Sequence, residues 1–130
     1  MKKLYLLLFF VPLFLAFQCE EDEVPGFDTN YIIQNDASVT VFYATISNQF
    51  IEIEPDDTLI IGNDRNPNAE ALLPSDNLFL TDGLRIYIQQ DENFIQVYQQ
   101  QPINDAAWTL LEPTQNFFEY RFIITDALLD

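Results

Sequence analysis

The side chains that most often carry out catalysis are scarce in this chain, and carboxylates are the main ones that remain. Histidine is absent, and both lysines lie within the first three residues. This excludes Ser-His-Asp and Cys-His arrangements and histidine-bound zinc. Glu52 with Glu54, or Asp56 with Asp57, could supply the two acids of a glycosidase. Acids that alternate along a strand or sit in a turn are usually exposed, so we expect no enzymatic activity.

A run of oxygen-bearing side chains provides the one pattern that points to a metal. Asp64, Asn66, Asn68 and Glu70 stand at every second position. Calcium takes six to eight oxygen ligands from a flexible loop, and this spacing could supply several of them. We therefore predict weak Ca²⁺ binding at these four residues as one interpretation and a polar surface loop as the other. No other cofactor is expected.

Aromatic and polar side chains alternate along a pair of segments that we predict to be a hairpin. Arg85, Tyr87, Phe94 and Tyr98 are predicted to share the side that faces away from the core. Aromatic rings beside polar groups suit a glycan or a protein partner. The alternative is that these rings pack beneath a neighbouring strand or beneath residues 63–76.

The hairpin itself has the clearest local signal in the chain. Residues 84–90 and 93–99 flank Asp91-Glu92, and a tight turn there makes paired residue numbers sum to 183. Ile88 would then face Ile95, and Arg85 would face Tyr98. This register places apolar side chains on one face, and a slip by one residue would scramble them.

Short strands separated by turn signals predict an all-β fold for residues 27–130. No segment has helical periodicity over ten residues, and turn signals recur about every ten residues. We predict seven or eight strands in a two-layer antiparallel β-sandwich of Ig-like or Greek-key-like type, with a small open β-barrel as the alternative. Residues 63–76 are expected to form a loop, Leu78–Leu80 a short strand, and Trp108 part of the core.

The amino terminus reads as an export signal. Two lysines precede fourteen uncharged and mostly apolar residues, Leu4–Phe17, which are too few to span a bilayer. Cys19, the only cysteine, follows after Gln18 and is succeeded by four acids, Glu20, Glu21, Asp22 and Glu23. This order predicts a signal peptide over residues 1–18 and an acidic tether over residues 19–26.

This stretch resembles the signal of bacterial lipoproteins, in which the cysteine after the cleavage site becomes lipidated. The four acids are similar to the export signal of surface lipoproteins of the Bacteroidota, and the β-rich remainder resembles small uncharacterised lipoproteins of that group. The resemblance implies lipidation at Cys19 and attachment to the outer membrane, at the cell surface or at its periplasmic face. It implies no enzymatic activity. The chain would then be a binding or accessory module, or alternatively a structural subunit of an envelope assembly.

The charge of the chain narrows the set of partners. Removal of residues 1–18 takes away both lysines and leaves three arginines against 21 acids, a formal net charge of −18. Such a surface repels phosphate backbones, so nucleic acid is excluded as a partner. It also repels anionic lipid headgroups, which leaves the lipid anchor as the predicted link to the membrane.

Overall fold

The computed structural model describes residues 26–67 and 70–130, and most of these residues lie in β-strands. The signal peptide, Cys19 and nearly all of the predicted tether fall outside the described residues. Eight strands are present in this part of the chain: β1 (Phe27–Asn35), β2 (Val41–Ala44), β3 (Phe50–Ile53), β4 (Thr58–Asn66), β5 (Leu84–Gln90), β6 (Asn93–Gln100), β7 (Thr109–Thr114) and β8 (Phe117–Ile124). A single helical turn, α1 (Asp126–Leu129), follows the last strand.

The strands form two four-stranded sheets that pack face to face, which confirms the predicted β-sandwich. The first sheet has the order β4-β1-β8-β7, and the second has the order β3-β2-β5-β6. All neighbours are antiparallel except β1 and β8, which run parallel. The predicted antiparallel arrangement is therefore wrong for this one pair. The alternative barrel does not form, because the two sheets are separate. No helix among the described residues has the length and apolar character needed to cross a bilayer.

The core consists of the inward-facing side chains of both sheets. Tyr31 stacks on Tyr120 at a ring distance of 6.0 Å, and Trp108 packs on Phe122 at 5.5 Å. Trp108 is buried, as predicted. The hydroxyl of Tyr31 donates a hydrogen bond to the carbonyl of Leu72, and burial raises the pKa of Tyr31 to about 12. The phenol therefore stays neutral at physiological pH.

One buried asparagine joins the two sheets at a corner. The amide nitrogen of Asn35, at the end of β1, donates to the carbonyls of Val39 and Ile53 at 2.9 and 3.0 Å. Its amide oxygen accepts from the backbone N–H of Ala37 at 3.1 Å. Ile53 ends β3 in the second sheet, so this fully buried side chain ties the end of one sheet to the edge of the other.

Two sequence predictions about the segment after β3 are wrong. Strand β4 continues past Gly62 to Asn66, because residues 62–66 pair with β1. A polar edge strand tolerates the turn-forming residues that suggested a loop. Leu78–Leu80 is a 3-10 turn and not a strand, since the side chain of Asn77 accepts a hydrogen bond from the N–H of Phe79 and begins the turn.

The predicted hairpin forms, but its register holds over only half its length. The pairs from Tyr87 with Gln96 to Gln90 with Asn93 sum to 183, as predicted. A β-bulge adds Val97 to β6, so that Ile86 pairs with Tyr98 and Arg85 pairs with Gln99. The predicted pairing of Arg85 with Tyr98 is therefore wrong.

Candidate functional site

The outer face of the second sheet carries a cluster of four aromatic rings that we call the aromatic face: Phe42, Phe50, Tyr87 and Phe94. Pairing of Phe42 with Tyr87 joins β2 to β5, and pairing of Gln89 with Phe94 joins β5 to β6. Since side chains alternate between the two sides of a strand, these rings point away from the core. None of the four belongs to the core cluster.

The four rings pack on one another in a continuous row. Phe50 and Phe94 are stacked at a centroid distance of 4.1 Å and an angle of 10°. Tyr87 meets Phe50 edge to face at 5.0 Å, and Phe42 meets Phe94 in the same way at 5.0 Å. These offset and edge-to-face contacts are favourable for aromatic quadrupoles. Phe50 and Phe94 nevertheless remain 40% and 39% exposed, so the cluster presents apolar surface to solvent.

A chain of amide side chains borders the aromatic face on β6. The hydroxyl of Tyr87 donates to the side-chain oxygen of Gln96 at 3.0 Å. Gln96 donates in turn to Gln99, and Gln99 donates to Gln101. These contacts fix the direction of each amide, so the polar border is ordered beside the rings.

A shallow depression of about 340 Å³ adjoins the other end of the row. Its lining includes Phe42, the carboxylate of Glu52 and the amide of Gln89. Glu52 lies opposite Phe42 in the pairing of β2 with β3, and its side chain is exposed. The aromatic face therefore has an acid and an amide at one end, and these groups can accept and donate hydrogen bonds.

Three of the four residues predicted for a ligand face lie on this surface. Tyr87 and Phe94 belong to the aromatic face, and Arg85 lies on the same side of β5. The guanidinium of Arg85 is held by the carbonyl of Thr45 and the side-chain oxygen of Asn48 at 3.3 and 3.2 Å.

Tyr98 lies on the opposite side of the sheet. The bulge at Val97 turns it inward, and its ring stacks on Phe122 at 5.2 Å. Its hydroxyl accepts a hydrogen bond from Gln100 at 2.8 Å. Tyr98 therefore packs against the core and does not contribute to the aromatic face.

Sequence reasoning missed Phe42 and Phe50 as members of this surface. Both lie on strands more than thirty residues before the hairpin, and only long-range pairing brings them to Tyr87 and Phe94. The signal that could have found them is the alternation of β2 and β3, in which Phe42, Phe50 and Glu52 share one side.

The predicted calcium ligands do not lie on one loop. Asp64 and Asn66 are in β4, and Asn68 falls outside the described residues. The side-chain amide of Asn66 donates to the backbone carbonyl of Glu70 at 3.2 Å. Within residues 26–67 and 70–130, no group of three or more acidic, cysteine or histidine side chains could hold a metal. The calcium site therefore stays a prediction.

Comparison with known proteins identifies no relative from which a function could be transferred. The chain matches no family model, and neither a curated protein nor a solved structure is significantly similar to it. The interpretation of the aromatic face therefore rests on its own geometry.

Proposed function

We propose that this chain is a non-catalytic binding module of the bacterial cell envelope, and that the aromatic face is its ligand-binding surface. The observation that carries the proposal is the row of four rings on the outer side of the second sheet. Soluble proteins rarely leave contiguous aromatic surface uncovered, and large exposed apolar patches mark interaction sites. Aromatic residues are also enriched among the side chains that dominate binding energies.

The packing of the rings favours a protein partner over a glycan. A sugar stacks on a free ring face, but Phe50 and Phe94 already cover one face of each other. Tyr87 and Phe42 use further ring surface in their edge-to-face contacts. The remaining exposed surface suits the apolar side chains of a protein. The strong negative charge of the chain favours a partner with a basic rim.

The location of the protein in the cell envelope is also part of the proposal, and it is inferred from the amino-terminal residues. We infer that signal cleavage leaves Cys19 as a lipidated amino terminus, with Glu20–Glu23 as the signal for export to the cell surface. The outer membrane is the proposed location, and its periplasmic face is the alternative. Mass spectrometry of the processed chain tests this: an acylated Cys19 is expected, and a free thiol or another start site would contradict it.

The binding proposal is tested with ring-removing variants at the aromatic face. Tyr87→Ala and Phe94→Ala are compared with Ile123→Ala, whose side chain is similarly exposed on the outer face of the first sheet. Affinity capture from native membranes should recover a partner with the parent and with Ile123→Ala, but not with the two ring variants. Each variant is first checked for an unchanged circular dichroism spectrum.

A glycan array with the same variants separates the two kinds of ligand. If a glycan binds and its binding requires Tyr87 and Phe94, the ligand is a sugar and not a protein, and the aromatic face remains the binding site. Identical capture and array profiles for all variants would contradict the proposed binding surface.

A second candidate function is that of a structural subunit in an envelope assembly, and the edge strand β7 favours it. Every residue of β7 is exposed, and Leu110 and Leu111 are 48% and 40% exposed. An exposed edge with apolar residues is a template for strand addition. Replacing Leu111 by lysine should block such an assembly without altering capture through the aromatic face, and an assembly unaffected by this change would exclude the edge.

A further inference from the structure

A second apolar site lies on the side of the sandwich where β3 and β4 form the edges of the two sheets. It is a cleft of about 390 Å³ between these strands. Six of its lining side chains are Tyr43, Ile46, Ile51, Ile60, Ile61 and Phe79. This volume is within the range of sites that bind small molecules, which are mostly apolar with a few polar groups.

Local features of β4 shape this cleft. A bulge places Ile61 between the pairs that Ile60 and Gly62 form with β1, and bulges at sheet edges redirect side chains. Phe79 closes one end by lying on Gly62, where an added β-carbon would come within 3.0 Å of its ring. The lack of a side chain at Gly62 therefore makes room for this wall.

Apolar side chains at the cleft remain open to solvent. Ile46 is 52% exposed, Ile60 is 58% exposed and Phe79 is 49% exposed. Ile51, whose side of β3 faces the other sheet, is still 38% exposed. The sandwich is therefore not closed at this edge, in contrast to its buried centre.

The hydroxyl of Tyr43 gives the cleft one polar group that has no protein partner among the described residues and is open to the cleft. Tyr43 is only 5% exposed, and it lines the cleft. Throughout residues 26–67 and 70–130, no side chain or backbone group forms a hydrogen bond with this hydroxyl, although that of Tyr31 in the same core is paired. Burial raises the pKa of Tyr43, so its phenol is a neutral donor at physiological pH.

We propose that this cleft binds an uncharged, largely apolar small molecule with one oxygen that accepts a hydrogen bond from Tyr43. The lining contains no charged side chain, so neither an anion nor a cation would find a counter-charge there. The acidic chain as a whole further disfavours anions. This site is distinct from the aromatic face, and its function does not depend on the one proposed there.

The test uses two uncharged fluorescent probes that differ in a single acceptor. Prodan is a naphthalene dye with one ketone, and its propyl analogue, 6-propyl-2-(dimethylamino)naphthalene, has a methylene group in place of the carbonyl. Both are titrated into the chain carrying Cys19→Ser, so that no attached acyl chain competes for the cleft. Saturable binding of both probes is expected, with shifts of the methyl resonances of Ile46, Ile51 and Ile60 in NMR spectra.

Tyr43→Phe separates the hydrogen bond from the shape of the cleft. This variant should weaken binding of prodan by about two- to tenfold and leave binding of the propyl analogue unchanged, since one hydrogen bond is lost. Ser47→Trp, at an exposed rim position, should fill the cleft and abolish binding of both probes. Ile123→Ala, on the outer face of the first sheet and outside both sites, is the matched control and should alter neither affinity.

Three outcomes would overturn the proposal. The first is an absence of saturable binding up to the solubility limit of the probes. The second is equal weakening of both probes in Tyr43→Phe with an unchanged melting curve. The third is that sedimentation shows a dimer of the chain that Ser47→Trp dissociates, because a second copy would then occupy the cleft.

Discussion

On the outer face of the first sheet Arg121 donates two hydrogen bonds to Glu119 and one to Gln34, whereas the outer face of the second sheet carries four aromatic rings. Arg65 approaches Asp28 at 3.9 Å at the other end of the first sheet. Both faces are built by the same alternation of side chains along a strand.

The two faces differ in the contacts that their outward-facing side chains make. The charged and amide side chains of the first face form hydrogen bonds within β8 and between neighbouring strands. The rings of the second face pack mainly on one another, apart from the hydrogen bond of Tyr87 to Gln96, and Phe50 and Phe94 stay about two-fifths exposed. When a partner covers exposed apolar surface, the free energy of binding becomes more favourable by roughly 25 cal/mol per Å² of buried area. This difference supports the proposal that the second face binds a partner.

The largest loss of stability is expected from a substitution at the corner that joins the two sheets. Asn35→Ala leaves the carbonyls of Val39 and Ile53 and the N–H of Ala37 without their buried partner. Each lost partner costs about 1–3 kcal/mol, so we expect a loss of about 3 kcal/mol or more in unfolding free energy.

Chemical denaturation measures this loss, and Asn30→Ala is the control. Asn30 lies on the same strand but accepts only an exposed hydrogen bond from Asn63, so its replacement should change stability by less than about 0.5 kcal/mol. Equal effects of the two changes would contradict the role of Asn35.

The aromatic face should contribute to stability through its ring contacts alone. Phe50 touches both Tyr87 and Phe94, so Phe50→Ala should cost about 1–2 kcal/mol. The cost should be the same at low and high salt, because no charge takes part. A cost that falls markedly with added salt in urea denaturation would show that the face is not held by apolar contacts.

The ion pair of the first face should behave in the opposite way. Glu119→Gln removes the charge that Arg121 contacts at 2.7 Å in a partly exposed pair, and we expect a loss of about 1 kcal/mol at low salt. Added salt should shrink this loss, since it screens exposed charges. The same denaturation series as for Phe50→Ala provides the comparison, and a loss independent of salt would contradict the assignment.

The smallest effect is expected at a contact between the loop that follows β1 and the helical turn α1. The N–H and hydroxyl of Ser38 donate to Asp126 at 2.8 and 2.9 Å, and these bonds lower the pKa of Asp126 below its usual 3.8. A lowered pKa in the folded state adds stability above pH 3.8, which is lost as the pH falls through the folded value. Asp126→Asn should therefore be slightly less stable than the parent at neutral pH and equal to it in strong acid. A difference that persists in strong acid would contradict this linkage.

Local patterns predicted the strands well where pairing was local. The hairpin register was right near its turn, from the pair of Tyr87 with Gln96 to that of Gln90 with Asn93. The bulge at Val97 could not be predicted, because no glycine or proline marks it and valine suits either register. Because of this one extra residue, Tyr98 pairs with Ile86 and its side chain faces the core.

The aromatic face was only half predictable, because its other half depends on pairing between distant strands. The hairpin itself placed Tyr87 and Phe94 on one side. Phe42 joins them because β2 pairs with β5 across more than forty residues, and Phe50 joins them through β3. The alternation of β2 and β3 places these two rings on one side of their strands, but it does not say whether that side faces the core. The extension of β4 was missed for a related reason, since polar residues on an edge strand resemble a loop.

Site-specific photocrosslinking on intact cells tests whether the aromatic face is the binding surface. Benzoylphenylalanine replaces Gln89, which is exposed and pairs with Phe94, or Thr109, which is exposed and pairs with Arg121 on the first sheet. We expect a discrete crosslinked product from position 89, lost when Phe94→Ala is added, and none from position 109. Crosslinking from position 109 alone, or equally from both positions, would contradict this expectation.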